Sequence, residues 1–346
     1  MSNQPSYLDF QDGSRIEGES FGYKQSISGE LAFSTGMTGY PESLTDPSYR
    51  GQLLVLSYPL IGNYGVPPQD FWESSRIHVA GLIVAQYVDT PSHWQSKQTL
   101  REWLVGQKIP ALIIEDTRAL VQKIRTNGAM LGKITVGADI EFSDPNKQNL
   151  VSIVSCQSVQ TYGKGKKTVV LIDCGVKENI VRSLVTRNVK VIRVPWNYDL
   201  ANSSLLYDGV VVSNGPGDPK MCHETINTIS HILKIHKPLL GICLGNQLLA
   251  LAAGGDTYKL KFGHRGQNQP CREIGTSRCF LTTQNHGYAV GKIPPGFKPW
   301  FENLNDKTNE GIIHTSKPFF SVQFHPEACP GPVDTQWVFD TFISYV

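Results

Sequence analysis

A chain of 346 residues, 40% hydrophobic and 18% charged, is long enough to bury two cores, and a net charge of +2 provides no field to hold nucleic acid or a membrane surface. Its seven cysteines include no Cys-x-x-Cys pair, which argues against a zinc ribbon or a disulfide framework and fits thiols kept reduced. With no apolar signal core, no Arg-rich transit pattern and no apolar run of membrane length, a cytoplasmic protein is expected.

Residues 1–155 read as a smaller mixed α/β domain. Ser6–Glu19 predicts a hairpin turning at Asp12-Gly13, and Gly29–Tyr40 and Gln52–Tyr58 supply strand-like runs. Between them, Tyr40-Pro-Glu-Ser-Leu-Thr-Asp-Pro-Ser-Tyr-Arg50 reads as a polar, turn-rich loop. Val79–Tyr87 predicts a strand, Ser96–Gly106 a helix and Pro110–Ile114 a short buried strand. Asp116–Gly128 reads as a helix with Asp116 as N-cap and Gly128 as stop. The polar, Gly/Lys-rich stretch 156–167 is expected to be a linker, without the spacing of a phosphate loop.

Residues 168–346 switch to strand–helix alternation. Val169–Ile172, Lys190–Val194, Gly209–Ser213 and Pro238–Ile242 are apolar strands; Glu178–Asn188 and His223–His236 are helices between them. This order implies an α/β fold with a doubly wound, mainly parallel sheet, which binds ligands beyond the carboxyl ends of its strands. Shorter strands are expected around Cys279–Thr282 and Phe319–Phe324, and a closing helix at Asp334–Tyr345.

The stretch Gly241-Ile-Cys243-Leu-Gly245 stands at such a strand end, followed by an Ala/Leu-rich helix. Glycine at both second neighbours of a nucleophile is the spacing of a nucleophile elbow, which lifts the side chain on a tight strand-to-helix turn. The helix N-terminus there favours the thiolate of Cys243. A cysteine nucleophile needs a base and a group that orients it. His325-Pro-Glu327 ends an apolar strand, and in extended backbone His325 and Glu327 point to one side, so the carboxylate can fix the imidazole. The N–H of Leu244 is a natural oxyanion donor, and the loop Ser213-Asn-Gly-Pro-Gly-Asp-Pro219 offers Gly215 and Gly217 for close approach.

These residues resemble the class I, triad-type glutamine amidotransferases: Gly241–Gln247, Asn214-Gly-Pro-Gly-Asp218 and His325-Pro-Glu327 stand in that family's order. Thr38–Tyr49, Tyr58–Gly65, Asp116-Thr-Arg118 and Gln284–Tyr288 extend the resemblance to the small subunit of glutamine-dependent carbamoyl-phosphate synthetase, closest to the eukaryotic fused form. The resemblance implies the class I amidotransferase fold, with Cys243 attacking the glutamine carboxamide, His325 as acid/base and Glu327 as its orienter. It implies that Ser48, Gly215, Gly217, Leu244, Gln247, Asn285, Gly287 and Tyr288 hold glutamine, Ser48 from the first domain. Ammonia would pass to a synthetase subunit or fused domain using bicarbonate and ATP with a divalent metal, Mg; no cofactor is expected in this chain.

One position departs from the family. Most members carry His after the second elbow glycine, where this chain has Asn246, a residue that donates and accepts hydrogen bonds but carries no proton. Its effect falls on basal rate or coupling. The ammonia-using branch of the family has lost the cysteine that is present here, which argues for a working glutaminase. Three other readings stay open: the glutaminase of another amidotransferase, a non-catalytic regulatory module with this fold, and a cysteine hydrolase acting on peptides. His264 and His286 read as pocket-shaping residues; His78, His93, His223, His231, His236 and His314 read as surface or structural. No His/Cys/Asp spacing marks a metal site.

Overall fold

The computed structural model describes residues 5–346, which divide into two compact units between Lys147 and Gln148. In the first unit the strands are β1 (Ser6–Phe10), β2 (Arg15–Ser20), β3 (Ile27–Ser34), β4 (Gln52–Leu56), β5 (Leu60–Ile61), β6 (Gly81–Val84), β7 (Gln86–Tyr87), β8 (Ala111–Ile113) and β9 (Leu131–Val136). Seven of them close a barrel in the order β1-β2-β8-β6-β4-β3-β9, with β5 and β7 paired apart. The expected hairpin is β1–β2, with Gly13 at φ 85° in its turn. Helices are α1 (Tyr40–Thr45), α2 (Leu100–Gly106) and α3 (Thr117–Asn127). α2 opens on a Thr99–Glu102 capping box, and Asp116 caps α3 by accepting from Ala119 N at 2.8 Å.

The stretch expected as a polar loop is instead α1 followed by a short 3-10 turn, Pro47–Tyr49. Tyr40 and Leu44, four residues apart and therefore on one helix face, are both buried. Tyr40 stacks on Tyr64 at 4.3 Å and donates its hydroxyl to Gly65 O. Burial of this face outweighs the polar composition.

In the second unit the strands are β10 (Gln160–Tyr162), β11 (Lys167–Asp173), β12 (Val189–Pro195), β13 (Gly209–Val212), β14 (Leu239–Ile242), β15 (Asp256–Glu273), β16 (Cys279–Lys292), β17 (Phe297–Asn303), β18 (Asn309–His314) and β19 (Phe319–Val322). They form a ten-stranded sheet, β10-β12-β11-β13-β14-β19-β18-β16-β15-β17. The run β12-β11-β13-β14-β19 is parallel, and beyond β19 the sheet continues antiparallel. Its helices are α4 (Leu150–Val154), α5 (Glu178–Val185), α6 (His223–Ile235), α7 (Leu244–Ala252) and α8 (Trp337–Tyr345). Strand alternation sorts the core into two layers. Val169, Leu171, Leu240 and Ile242 pack with α5 and α8, while Val170, Ile172, Val210 and Val212 pack with α6 and α7.

Residues 156–167, expected as a linker, belong to this unit: β10 pairs with β12, and Asp173 accepts from Cys156 N at 2.8 Å. The last third also differs in extent, since β15 and β16 run 18 and 14 residues, where only short strands were expected. No helix among the described residues is long and apolar enough to cross a membrane.

At the centre of the parallel run, β14 ends at Ile242 and α7 begins at Leu244, leaving Cys243 alone to reverse the chain at φ 54°, ψ −101°. A Cβ on Gly241 would lie 2.5 Å from Gly245 O, and one on Gly245 would lie 2.2 Å from Val212 O. Both obstacles are backbone, so only glycine fits. Gly245→Ala is expected to destabilise the protein by about 3 kcal/mol through overpacking. Urea unfolding measures it; a variant as stable as wild type would mean that α7 can draw away from β13 at no cost.

Candidate active site

The elbow sets the positions of the groups around it. Cys243 is buried, its N–H donates to Val322 O at 2.9 Å, and its thiol lies 3.8 Å from Asn285 O on β16. Leu244 opens α7, so its N–H belongs to the first turn, which has no acceptor within the helix. Gly245 N donates to Ser213 O at 3.1 Å, tying the helix start to the loop that holds Asn214, Gly215 and Gly217. A Cβ on Gly215 would lie 2.0 Å from Cys174 O and 2.9 Å from the Leu244 side chain; Gly217, at φ 86°, lies against Leu150.

β19 pairs in parallel with β14 and delivers His325 just beyond its end, where His325 N donates to Thr283 O at 2.9 Å. His325 Nδ1 lies 2.6 Å from Glu327 Oε1, and both residues are buried. Nε2 has no hydrogen-bond partner, and the Cys243 sulfur is near enough to act on the ring by charge. Burial pushes the His325 imidazole down, but Glu327 and Cys243 outweigh it and hold the ring well above the ordinary histidine range. Burial pushes Glu327 up, and the positive charges of Lys177 and His325 hold it well below the ordinary carboxylate range.

Lys177 was not singled out from sequence. Its buried ammonium lies 3.2 Å from Glu327 Oε1 and donates to Ala328 O, while its backbone N–H donates to Asn214 Oδ1 at 3.0 Å. Asn179 Nδ2 donates to Glu327 O. The signal was a lysine between an apolar strand and the helix it feeds, Asp173-Cys-Gly-Val-Lys177, where a charge goes under only with a partner.

Asn246 and Gln247 join the elements together. Ser321 donates to Asn246 Oδ1 at 2.8 Å, and Asn246 Nδ2 donates to Gln323 Oε1 at 3.0 Å. Gln247 Nε2 donates to Gln323 Oε1 at 3.1 Å and to Tyr288 O at 2.8 Å. Thus α7, β19 with the segment just beyond it, and β16 are joined by one chain of hydrogen bonds through Ser321, Asn246, Gln323, Gln247 and Tyr288. Gly287 lies between Asn285 and Tyr288 on β16. Ser48 belongs to the first unit, where it is buried in the 3-10 turn and its N–H donates to Asp46 Oδ1 at 2.8 Å. Among the described residues one set of side chains has the makings of a metal site: His264, His286 and Glu310, all buried, with ligand atoms within 4.8 Å of one another.

The family model of class-I glutamine amidotransferases matches residues 170–345, and that of the carbamoyl-phosphate synthase small chain, CPSase domain, matches residues 8–134. This chain belongs to the class-I glutamine amidotransferases, in the form that carries the carbamoyl-phosphate synthase small-chain domain ahead of them. It is similar to the human mitochondrial carbamoyl-phosphate synthase [ammonia], 46% identical over 99% of this chain and 24% of that protein. It is also similar to the multifunctional protein CAD of Squalus acanthias, 48% identical over 97% of this chain and 16% of that protein. The chain therefore spans a quarter or less of these relatives' length. A solved glutamine amidotransferase from Thermotoga maritima is similar at 22% identity over 52% of this chain and 84% of that one, with a TM-score of 0.40.

The depressed Glu327 carboxyl makes a pH prediction. Its folded value lies below the ordinary 4.5, so its contribution to stability is present above about pH 4.5 and is lost as the pH falls through the lowered value. Lys177→Met leaves the carboxylate with His325 as its remaining cation and is expected to cost about 3 kcal/mol at pH 7. The deficit should shrink between pH 5 and 3 as the carboxyl of the variant takes up a proton. Urea unfolding across that range tests it; a deficit independent of pH would mean that Lys177 acts through packing alone.

Proposed function

We propose that this chain is the glutaminase component of a glutamine-dependent carbamoyl-phosphate synthetase. The observation that carries the reading is the orientation of His325: Nδ1 is bound to buried Glu327, which leaves Nε2 for the thiol of the elbow cysteine. In this mechanism the Cys243 proton passes to His325 Nε2, and the sulfur attacks the side-chain carboxamide carbon of glutamine. The oxyanion takes the N–H of Leu244, with the Gly215 backbone as second donor. His325 returns the proton to the departing nitrogen, ammonia leaves, and a glutamyl thioester remains. His325 then takes a proton from water, which attacks the thioester and releases glutamate. Gln247, Asn285, Gly287, Tyr288 and Gly217 would hold the substrate.

Ammonia is then used by a synthetase partner, separate or fused, that makes carbamoyl phosphate from bicarbonate and ATP with Mg. The small-chain domain favours this acceptor over those of other amidotransferases. Asn246 was the one feature favouring a non-catalytic module. Its two buried hydrogen bonds are compatible with the His325–Glu327 geometry, which supports the catalytic reading. Seven free thiols fit a reducing compartment, for which the cytoplasm is our reading.

The test is glutamate release from glutamine by the purified chain. Wild type is expected to turn over, Cys243→Ser to lose activity, and His325→Asn to fall by about 10²–10⁴-fold in kcat. If the isolated chain is slow, a synthetase partner should raise its rate but not that of Cys243→Ser. Equal release by wild type and Cys243→Ser, with partner present, would overturn the reading.

A further inference from the structure

A second buried charge system lies behind the strand assigned to glutamine, and the mechanism above does not use it. Gln284 and His286 alternate with Asn285 and Gly287 along β16. Gln284 Nε2 donates to Glu310 Oε2 at 3.0 Å. His286 Nδ1 lies 2.8 Å from Tyr288 O, and its Nε2 lies 3.2 Å from Gln284 Oε1. Glu310, wholly buried on β18, also accepts from Thr308 at 3.2 Å, and its backbone oxygen accepts from Gln323 N at 2.9 Å. His264 on β15 is held between two carboxylates, Nδ1 at 3.1 Å from Glu310 Oε1 and Nε2 at 2.8 Å from Asp306 Oδ2. A neutral imidazole donates once and would turn a lone pair on one of these acids; an imidazolium satisfies both.

Resting on the glutaminase reading, we propose that the His264–Glu310 ion pair is a positioning device for the glutamine-binding strand. Protonated His264 neutralises Glu310, Glu310 anchors Gln284, and Gln284 with His286 fixes the backbone from Asn285 to Tyr288. His264 and Glu310 are positioning residues: neither touches the reacting atoms. A divalent metal fits the same side chains less well. Both ring nitrogens of His264 already face carboxylate oxygens and Glu310 already accepts from Gln284, so a metal would have to displace these bonds. The spacings of 2.8 and 3.1 Å around His264 are those of hydrogen bonds.

The pair gives the site an alkaline limit. Burial pushes His264 down, but Glu310 from β18 and Asp306 from the turn before it outweigh that and raise it to about 8. The other titratable or charged groups around the pair are His286, Cys271, Tyr258 and Arg265. Burial and the charge of His264 hold His286 well below its ordinary range, so of the two rings only His264 changes charge near neutrality. Because its folded value lies above 6.5, the ordering effect is complete below pH 6.5 and is lost as the pH rises through about 8.

The test is steady-state glutamine hydrolysis by the full chain, with synthetase partner where needed, from pH 6.5 to 9.5. In wild type the KM for glutamine should rise about tenfold with an apparent pKa near 8, while kcat changes less than about threefold. Glu310→Gln and His264→Asn should each have a high KM at every pH, without the titration. The double variant, which removes both charges together, should recover much of the affinity and stay pH-independent. In parallel, hydrogen exchange of residues 282–290, corrected for intrinsic rates, should rise through the same pKa in wild type and not in His264→Asn. That arm decides the proposal even if glutamine proves not to be the substrate. An alkaline limb that persists in His264→Asn, a fall in kcat at constant KM, or stoichiometric zinc on the purified chain would each overturn it.

Discussion

The constraint on which the second unit depends is steric and spans five residues. Between Gly241 and Gly245 the chain must change from strand to helix in one residue, and neither glycine can carry a Cβ without meeting backbone at 2.5 Å or less. The elbow therefore holds α7 against β13 and points the Cys243 side chain toward β16. Its partner strand β19, in register from Leu239↔Phe319 to Ile242↔Val322, ends beside it and hands the chain to His325. Bringing thiol and imidazole together follows from parallel pairing, because parallel neighbours end at the same edge of a sheet.

Electrostatics then sets what that edge can do. Burying an ion is costly unless it is paired and hydrogen-bonded, and the buried carboxylates of Glu327 and Glu310 each meet this requirement with a cation. Glu327 faces Lys177 and His325, and Glu310 faces His264. The two systems behave differently as the pH changes. Glu327 is held by two cations, Lys177 and His325, whereas Glu310 depends on His264, which can release its proton near pH 8. The carboxylate beside the His325 imidazole is thus held by a lysine, and the carboxylate behind β16 by a histidine.

Much of the site was legible because its signals are local. Gly-x-Cys-x-Gly encodes a backbone shape within five residues, and His-Pro-Glu places base and orienter two residues apart. The parallel core was equally readable from apolar strands separated by helices of ordinary length. Other features depend on partners far away in sequence. Lys177 acquires its meaning only from Glu327, and Glu310 only from His264 and Gln284. β15 and all but the start of β16 were missed because buried positions are filled by His264, Arg265, Gln284, Asn285 and His286, which break the apolar alternation by which strands are recognised. The small barrel of the first unit was hidden for a related reason, since its strands are short and α1 hides two large buried side chains, Tyr40 and Leu44, in a polar run.

Asn246 brings these levels together. It lies on the first turn of α7, wholly buried, with its oxygen bound to Ser321 and its nitrogen to Gln323, both on or just beyond β19. A ring at this position could serve such partners too, but it would bring a proton that comes and goes within a few residues of Cys243 and His325. The amide makes the same kind of bridge with no change of charge. Its bonds join the helix of the nucleophile to the strand of the base, and Gln247 carries the chain on to Tyr288. Geometry around the thiol is therefore held by groups that do not titrate. Protonation is left to His325 at the centre and, at one remove, to His264 behind β16.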